Sequence, residues 1–297
     1  MPKSRRAQKI FYLVYAVMLV SGVFLVAQSA VPINGREKND ETRYAETPAT
    51  ATIPAKAASG SSQDEALAVP ILVYHIVRPS YPSDSTEVKK LAHTPEIFDA
   101  ELSYLAAAGY HIVPLAALVS HITRETPLPP HSIVITFDDG WRDQFEYAFP
   151  ILKKYHATAT FFIFTNAIGR HAFISWDNLR EMLAAGMTVG AHSRSHPFLT
   201  KITDPSKLWD EISGSKVIIE KNLGVPVTAF AYPFGQYNAS STTLVEKAGY
   251  TAARGDYVNK KIPQSFSNRY ILNALNAPVT LDRFEYAFPA PATTTAR

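Results

Sequence analysis

Apolar positions are distributed very unevenly along this chain. Phe11 to Ala27 is almost wholly apolar and carries no charge, whereas from Val31 to about Ala68 large apolar residues nearly vanish among Ala, Thr, Pro, Ser, Glu and Lys. From Val69 onward, short apolar runs of strand length alternate with longer segments of helical period. The runs predict strands at Val69 to His75, Ile133 to Phe137, Ala159 to Phe164, Met187 to Ala191 and Val227 to Tyr232, with short ones near Tyr250 and Arg269 to Asn273. Between them, helices are predicted from Pro95, behind a Thr94 cap, and over Asp143 to Tyr155, Trp176 to Ala185, Pro205 to Leu223, Ser240 to Ala248 and Leu281 to Phe288. Strands alternating with helices imply parallel pairing with right-handed crossovers. The fold class is therefore α/β, a distorted (β/α) barrel of about seven strands, with a doubly wound sheet as the alternative.

Lys3, Arg5, Arg6 and Lys9 precede the long apolar run and the first acidic residue. A basic flank before an apolar run of this length predicts membrane insertion with the positive end in the cytoplasm. Residues 1–9 then form a cytoplasmic tail, 10–29 a transmembrane anchor or signal segment, 30–68 a flexible linker, 69–290 the folded domain and 291–297 a tail. Small residues at Ala27-Gln28-Ser29-Ala30 offer a cleavage site, and cleaved or not, the segment places the domain outside the cytoplasm. The expected location is the cell membrane, single-pass, with the domain on the extracytoplasmic side.

The 297 residues contain no cysteine, which excludes disulfides, thiolate metal sites and cysteine nucleophiles. Net charge is +3, and without the four basic residues of the tail the remainder stands at −1. Such a body has no electrostatic footprint for nucleic acid.

Candidate chemistry sits where strands end. The Ile133 to Phe137 strand runs directly into Asp138-Asp139-Gly140, and two neighbouring carboxylates call for a cation, a metal or a shared proton. Directly after the Met187 to Ala191 strand come His192 and His196. Imidazoles four apart meet if the backbone turns, at about 5–6 Å between Cβ atoms, but stand roughly 13 Å apart on a continuing strand. Gly190 before and Pro197 after favour the turn. Two imidazoles and a carboxylate make an open site suited to a catalytic divalent metal, Zn2+ above all, although cobalt, nickel or iron also suit these donors.

Thr136-Phe137-Asp138-Asp139-Gly140, His192-Ser193-x-x-His196, Ile174-Ser175-Trp176-Asp177 and Ala185 to Gly190 together resemble the polysaccharide deacetylase family, the NodB-homology or carbohydrate esterase 4 group. The resemblance spans roughly Val69 to Phe288. It implies metal-dependent hydrolysis of N-acetyl groups on an N-acetylated glycan, with Asp138 as general base and Asp139, His192 and His196 as metal ligands. Trp141, Tyr232 and Phe234 are candidates to line the sugar site, the Phe234 backbone N–H being also an oxyanion donor.

Two departures stand out. The family's Arg-x-Pro motif reads Ala231-Tyr232-Pro233-Phe234 here, so the arginine that orients the base must come from elsewhere, Arg269 or Arg142. The family's late Leu-x-His acid is also missing, because His196 is the last histidine. His75 closes the first strand and is the best candidate acid, ahead of His93, His111, His121 and His131. That arrangement resembles the branch acting on poly-N-acetylglucosamine of biofilm matrix. The competing readings are a glycoside hydrolase, whose carboxylates must stand about 5–9.5 Å apart across the sugar, and a non-catalytic glycan-binding protein.

Overall fold

The computed structural model describes residues 69–123, 126–257 and 264–290. The tail, membrane segment and linker assigned to residues 1–68, and the 291–297 tail, lie outside the described residues. Among the described residues no helix is long and apolar enough to cross a membrane.

The strands are β1 (Ile71–Tyr74), β2 (Ile76–Val77), β3 (Ala92–His93), β4 (His111–Ile112), β5 (Ser132–Phe137), β6 (Thr160–Ile163), β7 (Thr188–Ala191), β8 (Ala229–Ala231), β9 (Ala252–Tyr257) and β10 (Leu272–Asn276). All pairings between these strands are parallel. Strands β1, β10, β9, β8, β7, β6 and β5 lie side by side in that order, and β5 pairs back onto β1 to close a seven-stranded barrel. Two short additions were not anticipated. β4 pairs with the first residues of β5, and β2 with β3 forms a separate ladder. A two-residue strand carries no period that an apolar pattern can reveal.

Alternation of side chains sorts the core into an inside and an outside. Ile71, Val73, Val134, Phe162, Ala229, Ala231, Ala252, Leu272 and Ala274 form one buried cluster within the barrel. Leu72, Tyr74, Ile133, Ile135, Phe137, Phe161, Phe230 and Tyr232 belong to a second, packed under the surrounding helices. The interior is filled mostly by small residues around one large ring. A Cβ added to Gly190 would lie 2.4 Å from Phe162, so the glycine makes room for that ring. Leu115 and Leu118, from the helix Leu115–Ile122, join the inner cluster at the end where strands begin. The other end, where strands exit, is left for polar residues.

The helix at Pro95–Ala107 begins as predicted, with Thr94 Oγ1 accepting the Ile97 N–H at 3.3 Å. Two predicted helices are interrupted. Asp143 to Tyr155 resolves into a wide π-turn, Gln144–Ala148, followed by α-helix Phe149–Lys154. Pro205 to Leu223 likewise carries a π-turn, Asp210–Gly214, between helices Pro205–Trp209 and Ser215–Leu223. Such turns insert a residue into the helical register, and they recur at functional sites.

Candidate active site

Period-two alternation carries three strand exits to one mouth. His75 follows β1 with the inward parity of Ile71 and Val73, Asp138 follows β5 with that of Val134, and His192 follows β7 two residues after inward-facing Gly190. Asp139 would then face outward. Instead its backbone is left-handed, with φ of 74°, and the second carboxylate swings round to the same mouth. Both aspartates are fully buried.

The histidine loop turns as the glycine and proline suggested. Ser193 and His196 are left-handed, with φ of 67° and 59°, and Ser193 Oγ accepts the His196 N–H at 2.9 Å. This brings His192 Nε2 and His196 Nε2 to 3.1 Å. Asp139 Oδ1 completes a triangle, 3.7 Å from the first and 3.3 Å from the second. A tetrahedral ion with bonds of about 2.0–2.1 Å to N and O needs donors roughly 3.3–3.4 Å apart, so the edges fit a small divalent cation. Among the described residues this is the one group of three or more His, Asp or Glu arranged to hold a metal.

The chemistry of the donors agrees. His192 Nδ1 donates to the Ala231 carbonyl at 2.7 Å, and because a carbonyl only accepts, the lone pair lies on Nε2, facing the triangle. Trp141 Nε1 donates to Asp139 Oδ2 at 3.0 Å and leaves Oδ1 toward the imidazoles. Burial pushes the Asp139 carboxyl up and the His196 imidazole well down from their ordinary values. Both shifts reflect an environment hostile to an isolated charge and favourable to a carboxylate and neutral imidazoles gathered on a cation.

Asp138 is held differently. Its Oδ1 accepts from Arg254 Nη2, while Oδ2 stands 3.8 Å from His75 Nε2 and 3.9 Å from His192 Nε2. Arg254, not Arg269 or Arg142, supplies the guanidinium that meets Asp138. It lies on β9 as the direct register partner of Ala231 on β8, at the same inward parity, with its guanidinium 5.2 Å from the centroid of the Phe162 ring. Arg269 is instead at the strand-start end, where its backbone carbonyl accepts from Ala253 N–H and its side chain meets Glu246 at 3.3 Å. Arg142 shows no contact with Asp138; its backbone N–H donates to the Ala172 carbonyl. Gln144, on the first π-turn, was also missed. Its fully buried amide donates to the carbonyls of His75 at 2.7 Å and Asp138 at 2.6 Å, tying two strand exits together.

The remaining predicted residues divide. Trp141 stacks on Phe173 at 4.6 Å and is half-buried at the mouth. Phe234, left-handed at φ 59°, presents its ring edge to His196 at 4.6 Å and stacks on Phe198 at 4.0 Å. Tyr232 does not line the site. Its parity is outward, so it is wholly buried beside Phe230 and Tyr237 under the helix layer. Of the histidines, His75 alone joins the triangle and Asp138. His111 and His121 bond loop carbonyls, and His93 lies with Glu101 and Tyr74 outside the barrel. Burial, opposed by Asp138 and assisted by Arg254 and His192, pushes His75 down to about 4.

Comparison with known proteins places this geometry among relatives. The sequence profile described as polysaccharide deacetylase matches residues 125–253. The chain is 30% identical over 199 residues to the poly-beta-1,6-N-acetyl-D-glucosamine N-deacetylase of Staphylococcus epidermidis, covering 60% of this chain and 68% of that one. It is 29% identical over 182 residues to YxkH of Bacillus subtilis, covering 61% of this chain, and so spans 62% of the length of that relative. The solved structure of the Streptococcus pyogenes deacetylase PplD in complex with acetate superposes with a TM-score of 0.68 at 25% identity, covering 74% of this chain and 97% of that one.

Proposed function

The chain belongs to the polysaccharide deacetylase family, and we propose that it hydrolyses N-acetyl groups of an N-acetylglucosamine polymer, releasing acetate and leaving a free amine. The observation that carries the reading is the triangle of Asp139, His192 and His196 beside Asp138 at one strand-exit mouth. A divalent ion held by those three residues, zinc by its donor set, supplies Lewis-acid activation of water and of the acetyl carbonyl.

The chain's own groups divide the remaining work. Arg254 pairs with Oδ1 of Asp138 and fixes the orientation of the carboxylate, with Oδ2 on the side of His75, positioned to take a proton from the attacking water as general base. His75 is held neutral by burial, so as the acid it must gain its proton during the reaction. Asp138 Oδ2, 3.8 Å from His75 Nε2, is the group that passes it on. His75 then delivers the proton to the departing nitrogen. The Phe234 backbone N–H serves as oxyanion donor, and Trp141 orients Asp139 while its stack with Phe173 lines the sugar side. A near-neutral body suits an uncharged polymer, and the apolar run in 10–29 anchors the enzyme with this domain outside the cytoplasm.

Mass spectrometry of defined β-1,6-linked and β-1,4-linked N-acetylglucosamine oligomers, incubated with purified protein, tests the reading. Loss of acetyl masses with stoichiometric acetate, abolished by chelator and restored by zinc, is the expected result. New reducing ends would make the protein a glycoside hydrolase, and bound oligomers of unchanged mass would make it a lectin-like binder.

A further inference from the structure

The His192 to His196 loop is an unusual piece of backbone. Two of its non-glycine residues are left-handed, and it leaves the strand ladder at His192, so its amides need partners other than a sheet. One side is answered from the turn after β6, where Thr165 N–H donates to the Ser193 carbonyl at 3.2 Å and Asn166 N–H to the Arg194 carbonyl at 2.8 Å. The Arg194 and Ser195 amides are answered by a single side chain. Glu211 Oε2 accepts the Arg194 and Ser195 N–H groups, each at 2.9 Å, and Oε1 accepts the Ser195 hydroxyl.

Glu211 sits on the π-turn Asp210–Gly214, and the geometry of that turn serves the contact. A Cβ on Gly214 would stand 3.0 Å from Arg194 Cδ and 2.8 Å from Asp210 Oδ1, so the absence of a side chain there lets the loop lie against the turn. Arg194 pairs with Asp210 at the rim of the same contact, half in solvent. A carboxylate accepting two consecutive backbone N–H groups is a strong, directional anchor. The anchored residues separate the two imidazole ligands.

We propose that Glu211 is the positioning residue of the metal-ligating loop, setting the approach of His192 Nε2 and His196 Nε2 and hence the affinity of the site for its ion. It touches no reacting atom and acts through the loop alone. The inference rests on the metal-dependent reading above, but it is tested without substrate.

The probe is Co2+ added to purified full-length protein, read both by affinity from competition with a chromophoric chelator and by the visible absorption band, which reports ligand geometry. Glu211→Ala is expected to weaken Co2+ binding about 10–100-fold, the range for loss of an outer-shell partner, and to alter the band. Glu211→Gln, which can still offer an oxygen to both amides, is expected to restore affinity to within a few-fold, as is Asp210→Asn, which loses only the rim charge. Melting in chelator separates these effects from general instability. If Glu211→Ala does not fold, Glu211→Asp, whose shorter carboxylate cannot reach the loop, carries the same expectation. Wild-type affinity and an unchanged band in a folded Glu211→Ala or Glu211→Asp protein would overturn the proposal while leaving the metal site intact. Absence of Co2+ binding by the wild type would overturn the metal-dependent reading and this inference together.

Discussion

Asp138 and Asp139 are neighbours in sequence and equally buried, yet the fold answers their charges in opposite ways. Asp138 keeps the regular inward parity of its strand and meets a guanidinium that reaches across the barrel from β9, a strand not paired with its own. Asp139 turns left-handed, meets two imidazoles and an indole, and joins a group of donors that could hold a cation. The first arrangement is an ion pair within the protein, and in the proposed mechanism it holds the base. The second belongs to a group of donors that could hold a metal ion. On the proposed reading the pair of like charges is tolerated because each member would have its own counter-charge, one permanent and one exchangeable.

Substitutions can break that division. The largest effect is expected from Asp139→Ala or His192→Ala, which remove a ligand and should weaken Co2+ binding by more than the ~100-fold upper range for outer-shell changes, abolishing acetate release with it. Asp138→Asn should separate the two functions: acetate release falls by about 10²–10⁴ for loss of the base, while calorimetric metal affinity stays within a few-fold of wild type. Equal loss of metal binding in this variant would mean that the two aspartates act as one unit.

Arg254→Met sharpens the contrast on the stability side. It leaves Asp138 buried without its cation, which is expected to lower the unfolding free energy by about 3–5 kcal/mol. Adding Asp138→Asn should recover most of that loss in urea denaturation while the protein stays inactive, since contacting partners couple strongly. A third buried carboxylate, Glu101, provides the smallest and most diagnostic effect. It accepts from Tyr74 at 2.9 Å and faces His93 at 3.6 Å, and burial raises it from 4.5 to about 8. A carboxyl raised on folding contributes stability below its unfolded value and loses it as pH climbs toward the folded one. Glu101→Gln should therefore gain on wild type by a few degrees in melting temperature as pH rises from about 5 to 8. A parallel pair of melting curves would show that Glu101 has a compensating cation after all.

The motif residues were legible because each combined a chemical type with a strand end. Asp138, Asp139, His192, His196 and His75 all converge, and the barrel followed from the alternation of apolar runs. Arg254 was missed because a motif is read along the chain, whereas the guanidinium that meets Asp138 sits on the residue paired with Ala231 across the ladder. Tyr232, a candidate for the sugar site, is a packed aromatic instead, because period-two parity from inward Ala231 points it outward. Gln144 and Glu211 gave no such signal, since their roles depend on π-turns that a 3.6-residue period does not encode.

Asp139, Ser193, His196 and Phe234, none of them glycine, all wind in the minority hand around one rim. Each such residue is disfavoured by roughly 1–2 kcal/mol relative to its ordinary conformation. The mould is cast before anything is poured into it, and the closed barrel beneath must hold it open against relaxation. Heat tolerance is therefore easiest to gain at the very positions where drift toward glycine would slacken the grip, and a sturdier descendant with an idle rim is the natural way for this enzyme to fail.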